Sequence, residues 1–335
     1  MSYIGPCKYQ IVRIVVIGAG AIGAPIAAQL FEHGHRVVLV ARGANYEAIA
    51  GNGVTVATPE WTRQSKVDVV NGTSALIMDH GDVVVLCVKS QDTADVLTEL
   101  EAVAPTDIAV LCAQNGVANE RLVSQHFANT YGVCVMSPAS YLEPGRVEVF
   151  AAPLIGVLDL GRWPMGVDET ARDVSEQLRD SGFASMATGE IETLKWGKLL
   201  SNILNALEVL CGPSAMSDDL AVRVRREALA CLTAHGVDVE RATALADERS
   251  NLIKYHSIGA IRRVGSSSWQ SVLRGTGSVE TDYLNGEIVA LGHAYGIATP
   301  VNELLLRRAN DMARRGLAPG TVSVAELHRE LDAPA

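Results

Sequence analysis

The segment RIVVIGAGAIGAPIAAQLFEHGHRVVLVAR, Arg13 to Arg42, constrains this chain more than any other. Its runs predict a buried strand over Arg13–Ile17, an apolar helix over Pro25–Glu32 ended by Gly34, and a second buried strand over Arg36–Val40. Gly18, Gly20 and Gly23 fall between the first strand and the helix in the register G-x-G-x-x-G. In such a βαβ unit the first glycine permits a tight turn, the second lets the backbone approach a pyrophosphate, and the third lets helix and strand pack closely. The loop Gly18-Ala19-Gly20-Ala21-Ile22-Gly23 is therefore expected to hold a dinucleotide at a helix N-terminus, with a structural glycine turn as the alternative.

The end of the second strand reads VARG. A site for NAD usually carries Asp or Glu there to bind the ribose 2′-hydroxyl, whereas an arginine suits a 2′-phosphate. Arg42 thus favours NADP(H), the alternative being a solvated loop arginine. The uncharged run from Ile14 to Phe31 reaches the ~18 residues of a membrane span. Its glycines and Pro25 break it into strand, turn and helix, and no second candidate span follows. The start MSYIGPCKYQIVR lacks the charged and apolar regions of a signal peptide, so a cytoplasmic location is expected.

Further apolar strands are predicted in DVVVLCVK (Asp82–Lys89) and AVLCAQNG (Ala109–Gly116), with a helix between them around Thr93–Val103. Continuous Val/Leu runs alternating with helices indicate a parallel sheet covered on both faces. After Tyr131, GVCVMSPASYLEPGRVEVF and LIGVLDLG suggest antiparallel strands closing that sheet through an E-P-G turn. From about Glu190 helix patterns dominate: Trp196–Leu210, Asp219–His235, Tyr283–Tyr295, one opening at Thr299-Pro300, and a weak helix after Pro319. The reading is α/β: a Rossmann-type doubly wound parallel sheet over 1–188, followed by an all-helical domain over 189–335.

Composition sets limits on partners. With 335 residues, 48% of them hydrophobic and 20% charged, the chain can form two cores. A formal net charge of −10 without a basic run argues against nucleic acid. Cys7, Cys87, Cys112, Cys134, Cys211 and Cys231 lie far apart without a metal-type spacing, and read as reduced core residues. His33 and His35 bracket a helix-ending glycine, and no metal site is expected.

Polar residues at strand ends and on one helix carry the chemistry. Lys89 in CVKSQDT and Asn115 in AQNGV stand at C-terminal strand ends, where open α/β sheets bind ligands; a surface lysine and an Asn-Gly turn are the alternatives. WGKLLSNILNALEVL is apolar except for Lys198, Asn202 and Asn205. At about 100° per residue these lie on one stripe of a continuous helix. A lysine beside apolar walls can serve as a general acid, and amides can orient a polar substrate. A snorkelling lysine with interhelix amide bonds is the competing explanation, and Lys195, near the same stripe, competes for the role. GSSSW fails G-x-S-x-G, which disfavours a serine hydrolase. Its serines could still bind a carboxylate, and Glu280 could be an ordinary first-turn charge.

Taken together, IGAGAIG, VKSQDT, QNGV, WGKLLSN, SSSWQ, ETDYLNGE and GIATPVNE, in this order, resemble the ketopantoate reductase (2-dehydropantoate 2-reductase) family. The resemblance implies an NADP-binding Rossmann domain and a helical domain with the active site in the cleft between them. It implies hydride transfer from NADPH to the ketone carbon of a 2-oxo acid, ketopantoate first. By motif, Lys198 rather than Lys195 matches the catalytic lysine, and Glu280 the glutamate that binds the substrate hydroxyl and supports catalysis. Asn202 matches a substrate-binding asparagine, Ser267 the carboxylate-binding serine, and Asn115 the asparagine where cofactor and substrate meet. Arg42 and Lys89 match cofactor contacts.

The chain departs from the family on the substrate side. The second helix asparagine usually follows the lysine by eight residues, where Ala206 stands; Asn205 follows by seven and is the substrate contact expected in its place. The segment from the serines to Glu280 is one residue longer, and Trp269 sets a large ring beside the expected carboxylate site. A same-fold reductase or dehydrogenase of another keto or hydroxy acid is therefore a second reading. A non-catalytic NADP-binding redox sensor is a third, which Lys198, Asn202 and Glu280 together disfavour. The partners expected are a small 2-oxo acid and, compatibly, further copies of the chain, with no nucleic acid and no membrane.

Overall fold

The computed structural model describes residues 12–275 and 277–333. Cys7 and most of the N-terminal stretch weighed against a signal peptide lie outside them. The chain divides into two compact units. The first runs up to Gln114 and includes Asn119–Glu192 and Glu248–Arg263; the second holds Asn115–Ala118, Thr193–Asp247 and the chain from Val264 onward.

In the first unit the order is β1 (Ile14–Ile17), α1 (Gly23–Glu32), β2 (Val37–Ala41), α2 (Gly43–Asn52), β3 (Val54–Ala57), β4 (Thr62–Ser65) and β5 (Asp68–Asn71). Then come β6 (Val83–Leu86), α3 (Thr93–Glu101), β7 (Ala109–Cys112), α4 (Ala118–Val123), β8 (Asn129–Met136), β9 (Ala139–Glu143), β10 (Arg146–Val149), β11 (Val157–Arg162) and α5 (Glu169–Asp180). The main sheet has seven strands in the order β11-β8-β7-β6-β1-β2-β5. All its pairs are parallel except β8 with β11. Every residue of β1, β6 and β7 is buried, as continuous apolar strands in a sheet covered on both faces must be. Strand order reverses at β1, between β2 and β6, which makes the loops after β1 and β6 the place where such sheets bind ligands.

One expectation needs correcting. The hairpin around the E-P-G turn, β9 with β10, does not close the main sheet; it joins β3 and β4 in a separate sheet of four strands, β4-β3-β10-β9. There β10 pairs in parallel with β3, Arg146 opposite Thr55. Only β11 adds the antiparallel edge to the main sheet.

The second unit contains α6 (Ile191–Asn202), α7 (Asn205–Cys211), α8 (Asp219–His235), α9 (Val239–Ser250), α10 (Ser267–Leu273), α11 (Asn285–Tyr295), α12 (Pro300–Arg314) and α13 (Val324–Asp332), the last residues of α9 grouping with the sheet. Its core gathers Trp196, Leu199, Ile203 and Leu207 with Val224, Ile288, Leu305 and Leu327. The expected single helix over Trp196–Leu210 is interrupted at Ile203–Leu204. There the Ile203 carbonyl accepts a hydrogen bond from Asn285 Nδ2 at 2.9 Å. Asn285 also donates to Asn302 Oδ1 at 2.9 Å, and Asn302 Nδ2 donates to the Glu227 carboxylate at 2.7 Å. These bonds engage both N–H groups of the fully buried Asn285 amide, which would be costly to leave unpaired in the core. Among the described residues, no helix is long and apolar enough to cross a membrane.

Candidate functional site

In the first unit the site grows from the turn between β1 and α1. Gly18 has φ +109°, and a Cβ there would lie 2.8 Å from the Cys87 carbonyl carbon and the Val88 nitrogen, so backbone meets backbone at the strand-order reversal. At Gly23 an added Cβ would meet the Gly18 carbonyl oxygen at 2.0 Å. Gly20 differs, because a Cβ there would meet nothing within 4 Å. The space above it is a cradle that any side chain would begin to fill. Helix α1 begins here with no side-chain cap and no acidic residue in its first turn. Its first N–H groups and dipole thus favour an anion, and the turn fits the pyrophosphate of a dinucleotide.

Asn45, missed from sequence, fixes this turn. Its Nδ2 donates to the Ala19 carbonyl at 2.8 Å, and its Oδ1 accepts from Gly145 N at 2.8 Å. One amide therefore ties the glycine loop to the β9–β10 turn; its only sequence signal is its place three residues after Arg42. Asn45→Ala should weaken NADPH and NADH binding alike, by about five- to thirtyfold, the cost of losing a half-buried amide link. Fluorescence titration of both nucleotides checks this, and selective loss of one would contradict a role confined to the loop.

Arg42 follows β2 with extended backbone, φ −138° and ψ 156°, at the start of α2. Its guanidinium passes Gly72, where an added Cβ would meet Nε at 3.7 Å, and pairs with Glu99 of α3. Lys89, half-buried, follows β6 and leads into the turn Ser90–Asp92. A buried lattice holds this loop. Gln114 Nε2 donates to the Val88 carbonyl at 3.1 Å and to Thr93 Oγ1 at 2.8 Å; Thr93 donates to Asn119 Oδ1 at 2.9 Å; and Asn119 Nδ2 donates to Ser90 Oγ at 3.0 Å. Ser90 and Thr93 of VKSQDT and Gln114 of QNGV, with Asn119, thus hold the loop that carries Lys89.

In the second unit Asn115 and Asn202 come together: Asn202 Nδ2 donates to Asn115 Oδ1 at 3.1 Å. Asn202 is only 8% exposed, so a hydrogen-bond partner is required. The strap carrying Asn115 enters this unit through buried Val117 and through Gly116, where a Cβ would come within 2.6 Å of the Tyr283 carbonyl oxygen. Lys198 lies one turn before Asn202 on α6, about 40° round the axis, and is half-buried. Lys195 is 5% exposed, deeper than Lys198. Gly197 between them has a physical reason, since a Cβ there would sit 2.0 Å from the Ala242 carbonyl oxygen of α9. That close crossing fixes the rotation of α6 and hence the face carrying Lys198 and Asn202.

Asn205, half-buried, opens α7 beyond the interruption, so an angle reckoned along one continuous helix does not carry across to it. Glu280, buried, begins the turn Glu280–Tyr283. Ser266 caps α10, Ser267 is its half-buried first residue, and Ser268 is buried. The Trp269 ring packs against Gly265 and Gly320, the second at 3.2 Å from a Cβ built there. It fills space against the C-terminal segment, and Ser267, two residues earlier, stands on another face of the helix. Glu208 of α7 was missed from sequence: its Oε2 accepts from Ser266 N at 3.0 Å, which puts a carboxylate one residue from Ser267.

Residues 14–164 match the family described as ketopantoate reductase PanE/ApbA, and residues 190–313 match ketopantoate reductase PanE/ApbA C terminal. The 2-dehydropantoate 2-reductase of Pyrococcus horikoshii is 27% identical over 301 residues, covering 88% of this chain and 95% of that protein. The Archaeoglobus fulgidus 2-dehydropantoate 2-reductase is 28% identical over 311 residues, covering 89% and 96%. A PanE/ApbA family ketopantoate reductase from Ralstonia eutropha JMP134 aligns with TM-score 0.76 at 26% identity, over 91% of this chain and 99% of that one. D-mandelate dehydrogenase, solved with NADH and anilino(oxo)acetate, shares the fold with TM-score 0.76 at 21% identity, over 90% and 99%.

Proposed function

The chain belongs to the ketopantoate reductase family, and from that premise we propose that it reduces a 2-oxo acid to the 2-hydroxy acid with NADPH, ketopantoate being the leading substrate. The observation that carries this reading is the polar face of α6, where Lys198 lies one turn from Asn202 and Asn202 is bonded to Asn115 at 3.1 Å. NADPH, when bound, supplies the hydride for the ketone carbon. Lys198 holds the proton that the ketone oxygen takes up as it becomes a hydroxyl. Asn202, its amide steadied by Asn115, orients the substrate; Asn205 is a further contact from the start of α7. Glu280 binds the substrate hydroxyl, and Ser267 receives the carboxylate. The glycine loop Gly18–Gly23 and Lys89 hold the dinucleotide, and Arg42 receives its 2′-phosphate.

The experiment is NADPH oxidation by the purified full chain against ketopantoate and a panel of other 2-oxo acids. Efficient turnover of ketopantoate with poor turnover of the others supports the leading reading. Glu208, held by Ser266 N, sets a negative charge one residue from Ser267, where the carboxylate of any 2-oxo acid substrate is expected. Glu208→Gln keeps an acceptor for Ser266 N and removes the charge. It should lower KM for a 2-oxo acid anion by about three- to tenfold, the weight of one nearby charge in a partly solvated site, and leave kcat unchanged. A neutral ester of the same acid should show no change; an equal change for both would contradict the electrostatic account.

A further inference from the structure

Arg42 is already engaged. Its guanidinium donates to the carboxylate of Glu99 on α3, while its Nε edge lies along Gly72. Nothing within α3 asks for an acid at this position, since the last turn of a helix disfavours negative charge, and α3 has no basic residue there to offset it. What Glu99 meets is Arg42, across the end of β2. That is where Rossmann-type sheets distinguish their nucleotides: an acid accepts from the ribose 2′-hydroxyl, whereas an arginine binds the 2′-phosphate. Here both readers are present, the cation from β2 and the acid from α3. Their side chains are 53% and 36% exposed, so water reaches the pair and a better anion can open it at modest cost.

We propose that Glu99 sets the nucleotide selectivity of this chain, its carboxylate competing with the 2′-phosphate of NADPH for Arg42 and offering an acceptor to the 2′-hydroxyl of NADH. The proposal rests on the reading of Arg42 as the 2′-phosphate contact. A doubly charged phosphate displaces the carboxylate from the guanidinium fork, yet the displaced carboxylate stays nearby and repels it. NADPH therefore binds more weakly than Arg42 alone would allow, and the preference over NADH is narrowed. Glu99 is a specificity-determining residue that leaves the glycine loop untouched.

The test is fluorescence titration of the full chain with NADPH and with NADH, without substrate, for wild type, Glu99→Gln, Arg42→Ala and the double variant. Glu99→Gln should tighten NADPH by about three- to tenfold, the sum of a broken exposed ion pair and a relieved like-charge contact, with NADH unchanged or weaker. That gain should shrink at high salt, and shrink again in the Arg42→Ala background, where only the like-charge contact is left to relieve. Arg42→Ala alone should lower the preference for NADPH over NADH. If it does so while Glu99→Gln leaves the preference unchanged or lowers it, competition is overturned and the phosphate role of Arg42 stands. If Arg42→Ala leaves the preference unchanged, the phosphate role fails and the proposal falls with it. Thermal melting of each variant is expected to match wild type, since both side chains are exposed.

Discussion

Lys198→Ala lowers kcat for a 2-oxo acid by roughly 10²–10⁴-fold, the usual contribution of a positioned general acid, while NADPH affinity stays within about twofold. The expectation follows from where α6 puts the residue. Asn202, one turn on, is buried and hydrogen-bonded to Asn115, and the crossing of α9 at Gly197 prevents the helix from turning this face away. Removing the amine leaves that arrangement in place and takes away the proposed proton donor. Small primary amines added to the Lys198→Ala protein should restore part of the turnover, which a packing role would not predict. Lys195→Ala is the comparison, because Lys195 is the more deeply buried of the two and its loss should fall on thermal stability first. Unchanged turnover in Lys198→Ala would sink the assignment and shift it to Lys195.

The second large effect concerns the fold that carries the dinucleotide site. Arg249 near the end of α9 donates through Nε to Asp159 Oδ2 at 2.6 Å and through a terminal N–H to Oδ1 at 2.7 Å. Asp159 on β11 is 0% exposed, so this two-bond pair fastens Glu248–Arg263 to the sheet. Main-chain bonds continue the attachment, from Ala152 N to the Lys254 carbonyl at 3.4 Å and from His256 N to the Phe150 carbonyl at 3.0 Å. Arg249→Ala strands a buried carboxylate and should cost about 3–5 kcal/mol. In thermal melting this corresponds to a loss on the order of 10 °C. Replacing both partners, Asp159→Leu with Arg249→Met, should recover most of the loss, because no charge is then left unpaired. A double variant as unstable as Arg249→Ala would mean that something other than an orphaned carboxylate carries the cost.

These residues also show what could be read from the chain and what could not. β1, β6 and β7 were legible because uninterrupted Val, Ile and Leu have one comfortable fate, a strand buried on both faces. The glycine turn was legible because its spacing records a local steric demand. The second sheet was not, since Thr62–Ser65 reads TRQS and carries no apolar alternation to announce β4. The interruption of the Trp196–Leu210 helix was hidden too: its partner Asn285 stands 82 residues later, and no local pattern signals it. The same holds for the site. Lys198 and Asn202 stand out as polar residues in an apolar helix, and Arg42 by its place after the second strand, whereas Asn45, Glu99 and Glu208 are ordinary surface types until the fold brings them to the Ala19 carbonyl, to Arg42 and to Ser266. Gln114, Thr93, Asn285 and Asn302 carry the opposite lesson. They sit within motif stretches, yet their hydrogen bonds are those of buried structural lattices.

In the proposed reaction this chain moves a hydride from NADPH to the keto carbon of a 2-oxo acid. The measurement mixes the full chain with NADPH deuterated at both C4 positions and excess ketopantoate, then examines the product by mass spectrometry. The expected product is a 2-hydroxy acid carrying one deuterium on the former ketone carbon, formed in step with loss of NADPH absorbance and absent with Lys198→Ala. NADPH that binds tightly and stays reduced with ketopantoate and with every other 2-oxo acid tried would contradict it.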